Sequence, residues 1–214
     1  LLAPSLNLRD ELISIHTGVH VPTIVGTQAA SGSPERAASW HGVWSSESET
    51  RAFADKLATS PAMAHATIAL HGDLGAGKTT LVRHLLRALG VRGRIKSPTY
   101  AVVEPHSTID CPFMPRGETL SIWHFDFYRF NDPREWEDAG FRELFASPGL
   151  KLVEWAERAG EFMPVVDLNL HLEPEASLPP PSATDDSAHA ADEIRRVSAS
   201  AHTSTGLRLL EVLS

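Results

Sequence analysis

The sequence predicts an α/β sheet domain, and two observations carry that reading. Short apolar, β-prone runs alternate along the chain with segments of helical spacing, the pattern of strands joined by covering helices. One of those runs, 66–70 (Ala-Thr-Ile-Ala-Leu), ends directly at a glycine-rich loop, as a buried strand does in such a sheet. The 214 residues suffice for one domain with a substantial core, and no internal repeat divides them.

Taken in order, residues 1 to about 42 are rich in Ser, Gly, Thr, Ala and Pro and lack sustained periodicity. They are read as a flexible extension, or as upstream sequence translated from a misplaced gene start. Order is expected to begin near Ser45. Ser46-Glu47-Ser48-Glu49 has the form of a helix start, and Thr50, Phe53, Ala54, Leu57 and Ala58 follow at helical spacing. Beyond the glycine loop, Leu81, Val82, Leu85, Leu86 and Leu89 make a helix face, which Gly90 ends. Ser97-Pro98-Thr99-Tyr100 leads into an extended run at 101–104. Residues 105–118 hold three prolines, a glycine and Cys111 and are read as a loop. A second extended run at 120–128 completes a hairpin with a long tip.

A further helix is expected from Asp132-Pro133, with Asp132 and Glu135 as a capping box and Pro133 at the first helical position. Gly149 ends that region. The apolar strand 150–153 closes on Glu154-Trp155, and 166–172 reads as another strand. Residues 174–193 have the composition of a flexible insertion, 196–201 a returning strand, and 206–213 a terminal helix. The domain is thus placed at 43–214, with insertions at about 105–118 and 174–193.

Composition narrows the function. Hydrophobic residues make up 42%, and no apolar run approaches bilayer-spanning length. Asp10 and Glu11 argue against a transit peptide, so a cytoplasmic protein is expected. A net charge of −8 is not the footprint of a protein that grips nucleic acid by itself. The local basic set Arg83, Arg87, Arg92, Arg94 and Lys96 is read as a solvated helix face and loop. The single cysteine, Cys111, excludes an internal disulfide and is read as an incidental surface or loop thiol. Eleven histidines include no H-E-x-x-H and have no cysteine-rich partner set, so zinc is not expected. No N-K-x-D segment points to guanine.

The chemistry sits in Gly72-Asp73-Leu74-Gly75-Ala76-Gly77-Lys78-Thr79, which fits G-x-x-x-x-G-K-[ST] at every fixed position. Glycines let the backbone curl so that successive N–H groups aim at phosphate oxygens, and the following helix adds its positive end. Lys78 can reach the β- and γ-phosphates, and the Thr79 hydroxyl can ligate Mg²⁺. A strand before the loop and an amphipathic helix after it are the context this motif requires.

A P-loop needs acidic help to hold magnesium and to polarise a water. Glu154 ends one apolar strand, and Asp126 lies in Trp123-His124-Phe125-Asp126-Phe127-Tyr128-Arg129. Thr99 is either a turn residue or a hydroxyl that senses the terminal phosphate. His124 is read as a structural strand residue rather than a catalytic base.

Four blocks together resemble the TsaE family: Gly72-Asp73-Leu74-Gly75-Ala76-Gly77-Lys78-Thr79-Thr80, Ser97-Pro98-Thr99-Tyr100, His124-Phe125-Asp126-Phe127-Tyr128-Arg129, and Val153-Glu154-Trp155. That family comprises bacterial P-loop ATPases needed to make threonylcarbamoyladenosine in tRNA, next to the anticodon. The likeness runs from about Ser45 to the C-terminus. It implies a single P-loop NTPase domain with a mixed, largely parallel central sheet flanked by helices. It implies ATP bound by Gly75, Ala76, Gly77, Lys78, Thr79 and Thr80, with Mg²⁺ held by Thr79 and Glu154.

The resemblance also implies that Asp126, Glu154 and Lys78 serve hydrolysis, with Thr99 as a switch-type threonine and Trp155 beside the nucleotide. Glu47, Thr50 and Arg196 are similar to positions near the nucleotide in that family. TsaB and TsaD homologues are the implied partners, with tRNA met indirectly through the complex and no membrane involved. A P-loop small-molecule kinase and a non-catalytic nucleotide-sensing module are the alternatives. A phosphorylated small product would mark the first, and binding without hydrolysis in an assembled complex the second.

Overall fold

The computed structural model describes residues 38–175 and 194–214. Within these residues seven strands form one sheet: β1 (Ser39–Trp44), β2 (Thr67–His71), β3 (Val103–Thr108), β4 (Leu120–Asp126), β5 (Leu150–Glu154), β6 (Leu168–Pro174) and β7 (Arg195–Ala201). Their order across the sheet is β1-β7-β6-β2-β5-β4-β3. The four central strands, β6, β2, β5 and β4, run parallel, while β7, β1 and β3 add antiparallel edges. The expected α/β class is therefore observed, as a mixed sheet.

Among the described residues five α-helices accompany the strands: α1 (Glu47–Leu57), α2 (Lys78–Ala88), α3 (Arg134–Asp138), α4 (Phe141–Ala146) and α5 (Ser204–Glu211). Period-two alternation divides the central strands between two cores. Ile68 and Leu70 of β2, and Leu150 and Leu152 of β5, face Phe53 and Leu57 of α1, Leu81, Val82, Leu85 and Leu86 of α2, and Leu209 of α5. Ala69 and Val153 point the other way, into an aromatic cluster of Phe125, Phe127, Phe130, Trp136 and Phe141. β2 and β5, covered on both sides, can be continuous apolar runs for that reason.

The helix signals operate by the expected physics. Gly90 takes φ +94, and the Val91 N–H returns to the Leu86 carbonyl at 2.9 Å, closing α2 in a Schellman turn. The Asp132 N–H donates to Glu135 Oε1 at 3.0 Å, and the Arg134 N–H to Asp132 Oδ1 at 2.9 Å, a working capping box before α3. At α1 the side-chain cap is not Ser46: Glu49 instead accepts from the hydroxyl and N–H of Ser45.

Several boundaries differ from the sequence reading, three of them by whole segments. Described order starts before Ser45, because 39–44 form β1. This strand has no local signal; it is held by β7, far along the chain, and by Trp40 and Trp44 packing on Phe53 at 5.1 and 5.0 Å. The expected loop at 105–118 gives its first four residues to β3, where Pro105 is tolerated because β3 is the sheet edge. Pro174 still pairs with Arg195 as the last residue of β6, so the proposed insertion loses its start to that strand. Of the extension at 1–42 and the insertion at 174–193, residues 1–37 and 176–193 lie outside the described residues. Cys111, expected as a surface or loop thiol, is in the loop but buried, and burial pushes its thiol up.

Candidate active site

The glycine loop leaves β2 at His71 and enters α2 at Lys78. Gly75 and Gly77 take φ +87 and +99, left-handed values that turn the loop back on itself. At Gly72 the constraint is also steric: a Cβ there would lie 2.2 Å from the Leu172 carbonyl oxygen.

Lys78 is 4% exposed. Its Nζ donates to the carbonyls of Gly72 and Asp73 at 2.6 and 2.9 Å and lies 4.2 Å from the centre of the Trp155 ring. Burial pushes this ammonium below the usual lysine range, against the upward pull of Glu154 and Asp126. Trp155 itself takes φ +59, uncommon for a bulky side chain, directly after β5. Its ring also meets Tyr128 at 5.2 Å.

Parallel pairing of β4 and β5 sets Asp126 beside Glu154, both at strand ends and only 3% and 2% exposed. The Thr79 hydroxyl donates to both Glu154 oxygens at 2.9 Å. His124 Nε2 meets Glu154 Oε1 at 2.8 Å from within the sheet. Asp126 Oδ2 accepts from the Thr99 hydroxyl at 2.5 Å, and its Oδ1 from the Tyr128 N–H at 3.1 Å. Ser97 and Thr99 share a hydroxyl contact of 2.8 Å. Two buried carboxylates are thus fixed by hydrogen bonds, the condition under which such groups persist in an interior.

A cleft of about 220 Å³ is lined by Gly75, Ala76, Gly77, Lys78, Thr79, Thr80, Thr99, Asp126, Glu154 and Trp155, with Leu74 and Tyr128 at its wall. Three candidate residues are not brought there. Glu47 pairs with His84 at 2.9 Å in a neighbouring groove between α1 and α2, which shares only Thr80 with the cleft. Thr50 is buried in the α1 core face. Arg196 points to the opposite side of β7 and pairs with Glu175 at 2.6 Å. Strand alternation gives the place to its neighbour: Arg195 Nε donates to the Ala76 carbonyl at 3.1 Å, against the P-loop.

The residues fit a hard cation in a P-loop setting. A threonine hydroxyl that gives its proton to Glu154 keeps oxygen lone pairs for an ion. Among the described residues no group of three His, Cys, Asp or Glu could hold a metal alone. Magnesium suits such a site, because it takes few protein ligands and completes its shell with water and phosphate oxygens.

Sequence reasoning missed one contact and one residue. His124 is structural, as expected, but what it supports is Glu154; its two-residue spacing from Asp126 was the available signal. Arg195 had none beyond adjacency to Arg196.

The family model for "Threonylcarbamoyl adenosine biosynthesis protein TsaE" matches residues 44–178. The chain belongs to the TsaE family. It is 39% identical over 104 residues to the tRNA threonylcarbamoyladenosine biosynthesis protein TsaE of Haemophilus influenzae, covering 49% of this chain and 60% of that one. The protein of the same name in Bacillus subtilis is 36% identical over 116 residues, 54% of this chain and 66% of its own length. The chain thus spans just under two thirds of the length of these TsaE relatives. The crystal structure of YdiB from Bacillus subtilis superposes with a TM-score of 0.58 at 25% identity, covering 84% of this chain and 96% of that one. No helix among the described residues is long and apolar enough to cross a membrane.

Proposed function

We propose that this chain binds ATP with Mg²⁺ in the P-loop cleft and hydrolyses it. In this reading hydrolysis supports the assembly that makes threonylcarbamoyladenosine in tRNA next to the anticodon. TsaB and TsaD homologues are its partners, tRNA is met through them, and the setting is cytoplasmic. The observation that carries the reading is the Thr79–Glu154 contact at 2.9 Å, with Asp126 paired beside Glu154 and Lys78 buried against Trp155.

In this reading the loop N–H groups and the positive end of α2 hold the β- and γ-phosphates. Lys78 exchanges the carbonyls of Gly72 and Asp73 for phosphate oxygens, a charge-assisted replacement for neutral contacts. Bound Mg²⁺ supplies positive charge to those oxygens, with Thr79 and Glu154 as the residues that would hold it. Asp126 accepts a proton from, or orients, the attacking water once the Thr99 hydroxyl turns from it toward the terminal phosphate. Thr99 therefore links the nucleotide's γ-position to the carboxylate that serves hydrolysis. Trp155 shields Lys78 from water and keeps the local dielectric low.

The test is phosphate release from ATP with Mg²⁺, by the chain alone and with TsaB and TsaD homologues from the same source. Release that rises with the partners and vanishes in Lys78→Ala supports the reading. Absence of release in a demonstrably assembled complex contradicts it.

A further inference from the structure

His71 closes β2 one residue before Gly72, and nothing in the cleft chemistry above uses it. Both of its ring nitrogens face acceptors. Nδ1 lies 3.2 Å from Glu157 Oε2, and Nε2 lies 2.8 Å from Asn169 Oδ1. A neutral imidazole has one N–H and can serve one of these; the imidazolium serves both. The Asn169 amide presents its other end, Nδ2, to His202 Nε2 at 2.7 Å.

The groups around the ring favour the same state. Burial alone would lower His71, but hydrogen bonds from Glu157 and Asn169 outweigh it and hold the imidazole above its ordinary value; the Lys78 charge opposes them. Glu157 is held low by His71 and Lys78 in spite of its own burial. His171 stacks on His71 at 4.5 Å and is pushed down by burial and by the His71 charge, with Glu173 and Glu157 acting against that. Of the two stacked rings, His71 is therefore the one whose surroundings favour the cation.

Position makes the contact relevant to the site. Glu157 stands two residues beyond Trp155, in the 3₁₀ segment Ala156–Phe162. Trp155 is the left-handed residue whose ring covers Lys78. The His71–Glu157 pair thus ties the strand end that begins the P-loop to the turn that carries Trp155.

We infer that His71 is a positioning residue for the nucleotide site: as a doubly donating imidazolium it latches the Trp155 turn, through Glu157, to the start of the P-loop, and loss of its proton leaves one of its two bonds unmade and loosens that latch. This rests on the nucleotide-binding reading above. The direction with pH follows from the raised imidazole. The latch is complete below the ordinary histidine value and loosens as pH rises through the raised one.

The experiment uses the full chain and a fluorescent N-methylanthraniloyl ATP with Mg²⁺, from about pH 6 to 9, spanning histidine titration. The parent's dissociation constant is expected to rise about three- to tenfold across this window, the factor carried by one net hydrogen bond. His71→Gln is expected to be flat, near the parent's high-pH value. Glu157→Gln separates a latch from simple charge: removing an anion near the site should tighten triphosphate binding electrostatically, whereas opening the latch weakens it. A His71→Gln variant that keeps the parent's pH step overturns the inference, and so does a Glu157→Gln variant that binds as tightly as the parent.

NMR titration of the His71 ring gives a reading without nucleotide. Its midpoint should lie above 6.5 and fall in Glu157→Gln, and an unmoved midpoint overturns the latch. A parent that binds no nucleotide at any pH overturns the nucleotide reading and the positioning role together. The NMR arm then separates that result from failure of the contact itself.

Discussion

The hydroxyl of Thr79 and the carboxylate of Glu154, 75 positions apart in the chain, meet at 2.9 Å where α2 begins and β5 ends. Parallel pairing of β2 with β5 makes that meeting possible, since both strands then end on the same side of the sheet. The same pairing logic on β4 adds Asp126.

Glu154→Gln keeps the shape of this contact and removes its charge. Hydrolysis is expected to fall about 100-fold, in the range seen when one preorganised electrostatic group is lost. Nucleotide affinity should change by less than about tenfold, because the loop N–H groups and Lys78 remain. Single-turnover hydrolysis measured beside equilibrium binding checks both, and equal turnover by variant and parent would remove Glu154 from the mechanism.

Lys78→Ala removes the one cationic side chain that lines the cleft among the described residues. Loss of a charge-assisted phosphate contact is expected to weaken ATP by about 1.5–3 kcal/mol, roughly 10- to 100-fold. Titration calorimetry reads this directly, and an unchanged affinity would place the phosphates elsewhere.

His124→Phe leaves Glu154 without its buried imidazole partner. Glu154 keeps its Thr79 donor, so a cost of about 1.5–3 kcal/mol in unfolding free energy is expected from the one lost bond to a buried charged group, measured as a lower urea midpoint. Hydrolysis should fall with it, because Glu154 loses its orientation. A variant as stable as the parent would mean that the imidazole contributes no net support.

Arg195→Ala and Arg196→Ala distinguish neighbours that strand alternation separates. The first removes the donor to the Ala76 carbonyl and should weaken nucleotide binding. The second removes an exposed pair with Glu175, worth about 0–1 kcal/mol, and should leave binding unchanged. The reverse ranking in a binding titration would restore Arg196 to the site.

Much of this was legible because its signals are local. The P-loop, the Schellman glycine Gly90 and the Asp132–Glu135 cap are each set by residues a few positions apart. The strand-end carboxylates were legible because an apolar run that closes on an acid has few other readings beside a P-loop. What escaped depends on distant pairing. β1 exists because β7 lies beside it, and no periodicity in 39–44 announces that. Arg195 rather than Arg196 reaches the P-loop because of where β7 begins its alternation, a one-residue matter that local pattern does not fix. Glu47 and Thr50 were assigned by likeness to the TsaE family, and neither lines the P-loop cleft itself.

In the proposed mechanism the cleft hydrolyses ATP through Thr79, Glu154 and Asp126. The most direct measurement is Mg²⁺-dependent phosphate release by the parent and by Asp126→Asn, each with TsaB and TsaD homologues. Partner-stimulated release is expected from the parent, and release at least about tenfold lower from Asp126→Asn with ATP still bound. Equal release by the two, or none from a parent in an assembled complex, would contradict it.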